Sequence, residues 1–170
     1  MSFATEHFRT FARYNSWANA RLYAACAELP DAEYLKPRQS FFRSLHGALN
    51  HVLVADRIWL ARFQGQDHHI RALDQQLYGE LAGLRVARQA EDAMIREFVE
   101  SLSDADLDRP LSYRNMAGEK QTGKLGRLLA HLFNHQTHHR GQAHDQLSQT
   151  AVAPPPLDLL FYLRETREIG

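Results

Sequence analysis

The sequence predicts an all-α protein, a bundle of four substantial helices with short additional helical segments. Three observations carry that reading. Apolar residues recur at helical spacing in four separate stretches, Pro, Gly and Ser punctuate the connections, and only one short segment alternates, weakly, as a strand would. The 170 residues suffice for one full core, with no internal repeat or low-complexity tract, so residues 1–170 read as a single domain.

Residues 3–28 form the first long helix, with Phe8, Phe11, Ala12, Ala18, Leu22 and Ala25 repeating among Arg, Asn and Glu. Pro30 and Pro37 end it and delimit a loop. Ser44 is the expected N-cap of a second helix, SLHGALNHVLVADRIWLARF, which Gly65 closes. Its core side is Leu45, Leu49, Val52, Trp59 and Phe63. Asp56 falls in the same arc, where an ionised carboxylate needs a partner; an imidazole N–H and an arginine both qualify. The stretch QGQDHHIRALDQQLYG has no periodic apolar face and reads as a connection, with His68 and His69 exposed. A third helix runs from about Glu80 to Leu102, turning Ala93, Met94, Phe98 and Leu102 inward, and Ser103 and Asp104 break it. LSYRNMAGEKQTG, with its Ala-Gly turn, is expected to lay a short irregular hairpin across the bundle end. Thr122 starts the fourth helix. Three prolines at 154–156 stop its extension, and LDLLFYLRET forms a short final helix with Pro156 in its first turn.

Twenty basic residues balance twenty acidic ones, so no electrostatic footprint for nucleic acid or for a membrane surface exists. A single cysteine, Cys26, excludes an internal disulfide framework and suits a reducing compartment; it reads as a small apolar residue of the first helix rather than a nucleophile. The N-terminus, MSFATEHFRTFARYN, lacks the apolar run of a signal peptide, and no stretch approaches the length of a membrane span. A cytoplasmic location is expected.

The functional signal lies in residues 125–147, LGRLLAHLFNHQTHHRGQAHDQL, which hold five of the ten histidines. Successive helical residues rotate by about 100°, so His135 and His139 project one above the other and can grip one ion. Leu125, Leu128, Leu129, Leu132, Ala143 and Leu147 set the core direction, which puts His139 about 30° and His135 about 70° from its centre. His131 and His138 lie more than about 100° away, toward the rim. His138 and His144 are expected at the surface or beside a ligand. Burying an imidazole without a partner costs about 1–3 kcal/mol, which favours metal ligands over idle core histidines. Two other metal signatures do not apply. A zinc metalloprotease needs Glu where Gln136 stands, and a carboxylate-bridged di-iron bundle needs Glu on this helix, which has none.

The pairing of LNHVLVADRIWLARF with HLFNHQTHHRGQAHDQL, followed by PPPLDLLFYL, resembles the DinB family of DinB/YfiT-like metal-binding bundles over essentially the whole chain. The resemblance implies an up-down-down-up four-helix bundle, a homodimer, and a divalent metal held by three histidines, one from the second long helix and an i, i+4 pair from the fourth. Residue by residue, these are His51, His135 and His139. Amphipathicity alone does not choose between His51 and His46, each about 100° from the centre of its helix's apolar arc; the resemblance favours His51. Imidazole suits several transition metals, with zinc or nickel expected first and iron next.

Three neutral nitrogens leave coordination positions free, whereas structural zinc sites are closed by four protein ligands. The resemblance therefore implies a metal-dependent enzyme of the thiol-transferase or hydrolase type, with a low-molecular-weight thiol as cosubstrate in the first case. No carboxylate of the histidine helix stands as a general base, which favours thiol activation. The alternative is a non-catalytic metal-binding stress-response dimer; the family's name records DNA-damage inducibility, a matter of regulation. No catalytic residue is assigned.

Overall fold

The computed structural model describes residues 3–169, so the first two residues and the last of the expected 1–170 domain lie outside it. Four long helices, α1 (Phe3–Cys26), α3 (Leu45–Gln64), α4 (Leu81–Glu100) and α6 (Leu125–Ser148), make the bundle. The short pieces are α2 (Asp31–Tyr34), α5 (Asp104–Asp108), α7 (Leu159–Glu165) and the strands β1 (Pro110–Arg114) and β2 (Lys120–Lys124).

Local chemistry accounts for most of the boundaries. The Ser44 hydroxyl accepts from the Gly47 amide at 3.0 Å, and Gly65 ends α3 in the left-handed conformation (φ 68°) that a residue with a Cβ adopts only with strain. Ser103 and Asp104 do not simply break a helix as expected. Ser103 caps α5 reciprocally with Asp106 and so starts a new turn. The hairpin is present and regular, pairing Leu111 with Gly123 and Ser112 with Thr122. Thr122 therefore belongs to β2, and the histidine helix begins three residues later, at Leu125. Pro156 likewise lies ahead of the last helix rather than in its first turn, because α7 starts at Leu159 behind Asp158.

Side-chain contacts fix the topology. Arg9 reaches the Leu102 carbonyl and Asn19 reaches Asp92, so α1 and α4 run antiparallel. His51 meets His139 while Trp59 meets His131, so α3 and α6 are also antiparallel. Asp56 with Arg88 and Phe63 with Phe98 make α3 and α4 parallel; Phe11 with Phe133 and Asn15 with Arg140 do the same for α1 and α6. The result is the up-down-down-up bundle, with α1 and α3 across the diagonal.

At its centre the core is polar. Arg88 donates to Asp56 at 2.6 Å, Asp56 accepts from Gln136, and the Gln136 oxygen accepts from Arg140 at 3.4 Å. Arg140 donates to Asn15 and Asn19 at 2.6 and 3.1 Å, these amides donate to Asp92, and Asp92 lies 2.9 Å from Arg88. The ring closes through all four long helices and holds two cations against two carboxylates, each side chain buried. It also explains a misread face. Leu84, Ala87, Arg88, Glu91, Asp92, Ile95 and Val99 are the buried residues of α4, whereas Met94 is 43 % exposed and Ala93 only half-buried. Phe98 and Leu102 do pack inward, but the polar residues in the true core stripe hide its direction from an apolar pattern. Among the described residues, no helix is long and apolar enough to cross a membrane.

Candidate metal centre

The second long helix supplies His51 from a segment buried on nearly every side, and α6 supplies His135 and His139 one turn apart. His51 Nε2 lies 3.3 Å from His135 Nε2 and 3.2 Å from His139 Nε2. One ligand atom of each histidine lies within 4.8 Å of the others. Imidazole nitrogens that meet so closely cannot all carry protons; they gather where a cation would sit.

The outer nitrogens test the fit of such an ion. His51 Nδ1 donates to the Leu73 carbonyl at 2.8 Å, and His139 Nδ1 donates to Gln142 Oε1 at 2.8 Å. A proton placed on Nδ1 leaves the Nε2 lone pair facing the centre, the tautomer a metal ligand needs. Gln142 is itself steadied by its amide against His138 Nε2 at 3.2 Å. His138 is thus exposed yet touches the group that orients a ligand. His135 Nδ1 is buried with no hydrogen-bond partner among the described residues.

Electrostatics agree with neutral ligands. Burial, with His139 and His51 next, drives the His135 imidazole down to about 3. Burial also lowers His51, against the Leu73 carbonyl, and His139, against Gln142. Phe42 stacks on His51 at 3.9 Å and meets His139 edge-on at 5.4 Å, shielding that side from water.

The other candidates part from the triad. His46 turns both nitrogens elsewhere, Nδ1 to the Tyr34 hydroxyl at 3.0 Å and Nε2 to the Asn50 amide at 3.1 Å. Asp56 resolves in favour of arginine, pairing with Arg88 and Gln136 and, among the described residues, with no imidazole. Cys26 is buried in the apolar cluster with Leu22 and Ala48, and burial pushes its thiol up to about 12. His131 meets Trp59 edge-on at 5.1 Å, His144 donates to the Pro155 carbonyl at 2.9 Å, and His69 is exposed. His68 is half-buried, its Nδ1 accepting from the Ile70 amide. Leu73, Gln142 and Phe42 escape a sequence reading, although Gln142 sits three residues after His139, where a helical neighbour falls.

An up-down-down-up bundle that brings three imidazole Nε2 atoms together from two helices defines a class, bundles with a histidine triad of the kind that holds a divalent metal. The DinB family profile matches residues 1–169, and the chain belongs to the DinB family. It is 31 % identical over 159 residues to "Protein DinB" of Bacillus subtilis (strain 168), a match spanning 91 % of this chain and 92 % of that relative.

Proposed function

We propose that the chain holds one divalent metal ion, zinc or nickel before iron, through His51, His135 and His139 and works as a metal-dependent enzyme, in the first place on a thiol. The observation carrying this reading is the donor count: the group contains three histidines and no fourth His, Cys, Asp or Glu among the described residues. Three donors leave room for an exogenous ligand. The ion supplies Lewis acidity toward a thiol or toward water. The chain's own residues do the rest: the Leu73 carbonyl and Gln142 hold the ligand tautomers, and Phe42 limits water at one side. A reducing cytoplasm, consistent with the free Cys26, would keep a small thiol cosubstrate reduced.

Hydrolysis is the second reading, and one observation favours it. Asp74, next to Leu73, is close enough for its charge to favour the His51 imidazolium, so a carboxylate stands near the triad even though α6 offers none as a base. The test is a sweep of thiol conjugation and ester hydrolysis with metal-loaded protein. Turnover of one class, abolished by His135→Ala, supports the enzyme. Retained metal with no turnover in either class moves the protein to a non-catalytic metal-binding role.

A homodimer is part of the proposal. Val86 and Met94, 68 % and 43 % exposed on the solvent side of α4, give such a dimer apolar surface to cover. Sedimentation at micromolar concentration should give twice the chain mass of 19.5 kDa; the single-chain mass would refute the dimer.

A further inference from the structure

Residues 66–79, between α3 and α4, lie outside any helix or strand, yet a carbonyl among them, that of Leu73, accepts from the ligand His51 at 2.8 Å. An irregular segment keeps an acceptor in place when its own backbone is tied down. Local bonds give the segment its shape: the Arg71 amide donates to Gln75 Oε1 at 3.1 Å and the Gln75 amide to the Ala72 carbonyl at 3.3 Å, closing a turn around Leu73. They do not fix that turn against the bundle. Leu73 is 48 % exposed, so its side chain is a poor anchor. Ile70 packs on Val54 and Ile58 with Leu77 alongside, but apolar contacts are non-directional and tolerate a slide.

The directional tie is Asn50, which is buried at 1 % exposure. Its Oδ1 accepts from the Leu77 and Tyr78 amides at 2.9 and 3.2 Å, and its Nδ2 donates to the Tyr78 carbonyl at 3.3 Å. The side-chain amide thus pairs with the N–H and the C=O of Tyr78 together, as a neighbouring peptide group would, and the geometry of these bonds sets the register of the segment. Nδ2 also donates to the His46 carbonyl at 3.1 Å, one turn back on α3, which holds the amide against its own helix. Arg57 reaches the Tyr78 hydroxyl at 3.1 Å, but that tie grips the tip of a side chain and not the backbone. Asn50 and His51 are consecutive, so anchor and ligand share one rigid stretch of α3.

We propose that Asn50 is a positioning residue of the metal centre: by gripping the backbone of Leu77 and Tyr78 it holds the Leu73 carbonyl on His51 Nδ1 and so keeps His51 Nε2 aimed at the ion. The proposal rests on the histidine triad being a metal site, and it stands whichever reaction the metal serves.

The test measures zinc affinity, by competition with a chromophoric chelator, and the melting temperature of the zinc-free protein for the full chain and three variants. Asn50→Ala should weaken zinc binding by about 10- to 100-fold, the usual effect of losing the group that orients a ligand. Asn50→Thr, close in volume and able to keep one of the hydrogen bonds, guards against a variant that fails to fold and should fall between Asn50→Ala and wild type. Ile95→Ala opens a cavity in the core of α4, so it should lower the melting temperature while leaving zinc affinity unchanged. In zinc-loaded protein the His51 Nδ1 proton, shielded by the Leu73 carbonyl, should exchange with water faster in both Asn50 variants than in wild type, as read by nitrogen-edited NMR. Wild-type protein that binds no zinc would overturn the metal centre and this proposal with it. Wild-type protein that binds zinc, with Asn50 variants that bind it as tightly or lose no more affinity than Ile95→Ala, would overturn the role of Asn50 alone; so would an unchanged exchange rate at His51 Nδ1.

Discussion

Replacing His51, His135 or His139 with Ala is expected to take purified protein from about one metal ion per chain to nearly none, because each change removes one of three donors and leaves too few to hold an ion against solvent. His46→Ala and His138→Ala should keep it. His46 has both nitrogens engaged by Tyr34 and Asn50, and His138 meets the amide of Gln142 and the edge of the His139 ring without pointing a nitrogen at the triad's centre. Gln142→Ala falls between these limits. It frees the His139 ring from its acceptor, and the loss of such an orienting partner costs about 10- to 100-fold in metal affinity. Elemental analysis after dialysis reads the series directly. Metal retained at wild-type level in the His135 and His139 variants would refute the ligand set, and loss in His138→Ala equal to that in His139→Ala would mean the faces of α6 are misassigned.

The second large effect concerns the core. Arg88→Met should cost about 3–5 kcal/mol of unfolding free energy at neutral pH, since it strips a buried cation from two buried carboxylates. Exchanging Asp56 for Leu in the same chain should recover much of that loss. The double variant keeps the charges equal, with Arg140 against Asp92, so the two changes should be markedly non-additive. The sign of the pH dependence follows from Asp56, which burial, against Arg88, already pushes up to about 7 from an ordinary value of 3.8. A folded-state value raised in this way makes the ionised form costly above it and lets the folded state take a proton as pH falls. Without Arg88 the value rises further, so the deficit of Arg88→Met should be larger at pH 8 than at pH 5.5. Denaturant titration of the four proteins at both values checks this. A loss under 1 kcal/mol for Arg88→Met, or simple additivity, would show that the ring does not act as a unit.

The same ring marks what the chain hides from a linear reading. The spans of the long helices, the hairpin and the α6 pair were legible because apolar residues there follow helical spacing and because His135 and His139 stand four apart on a face the leucines define. The inward face of α4 was not, since Arg88, Glu91 and Asp92 occupy core positions and their partners lie on α1 and α3. Gln136 and Arg140 extend the α6 leucine stripe in the same disguise. The choice of His51 over His46 was open for another reason. Helix α3 is buried around nearly its whole circumference, so both histidines are buried and amphipathicity cannot rank them; they differ in their neighbours, His46 meeting Tyr34 and His51 meeting the α6 pair. Asp56 was ambiguous in sequence because its partners, Arg88 and Gln136, are 32 and 80 residues away.

The central claim is an open three-histidine metal centre, and X-ray absorption spectroscopy of the metal-loaded protein, with and without a small thiol, tests it most directly. The account predicts three imidazole nitrogens at about 2.0–2.1 Å, as found in histidine-bound zinc sites, with the remaining positions held by a light scatterer that a sulfur at about 2.3 Å replaces when thiol is added. A first shell with four protein ligands that no thiol perturbs, or one lacking three imidazoles, would contradict it.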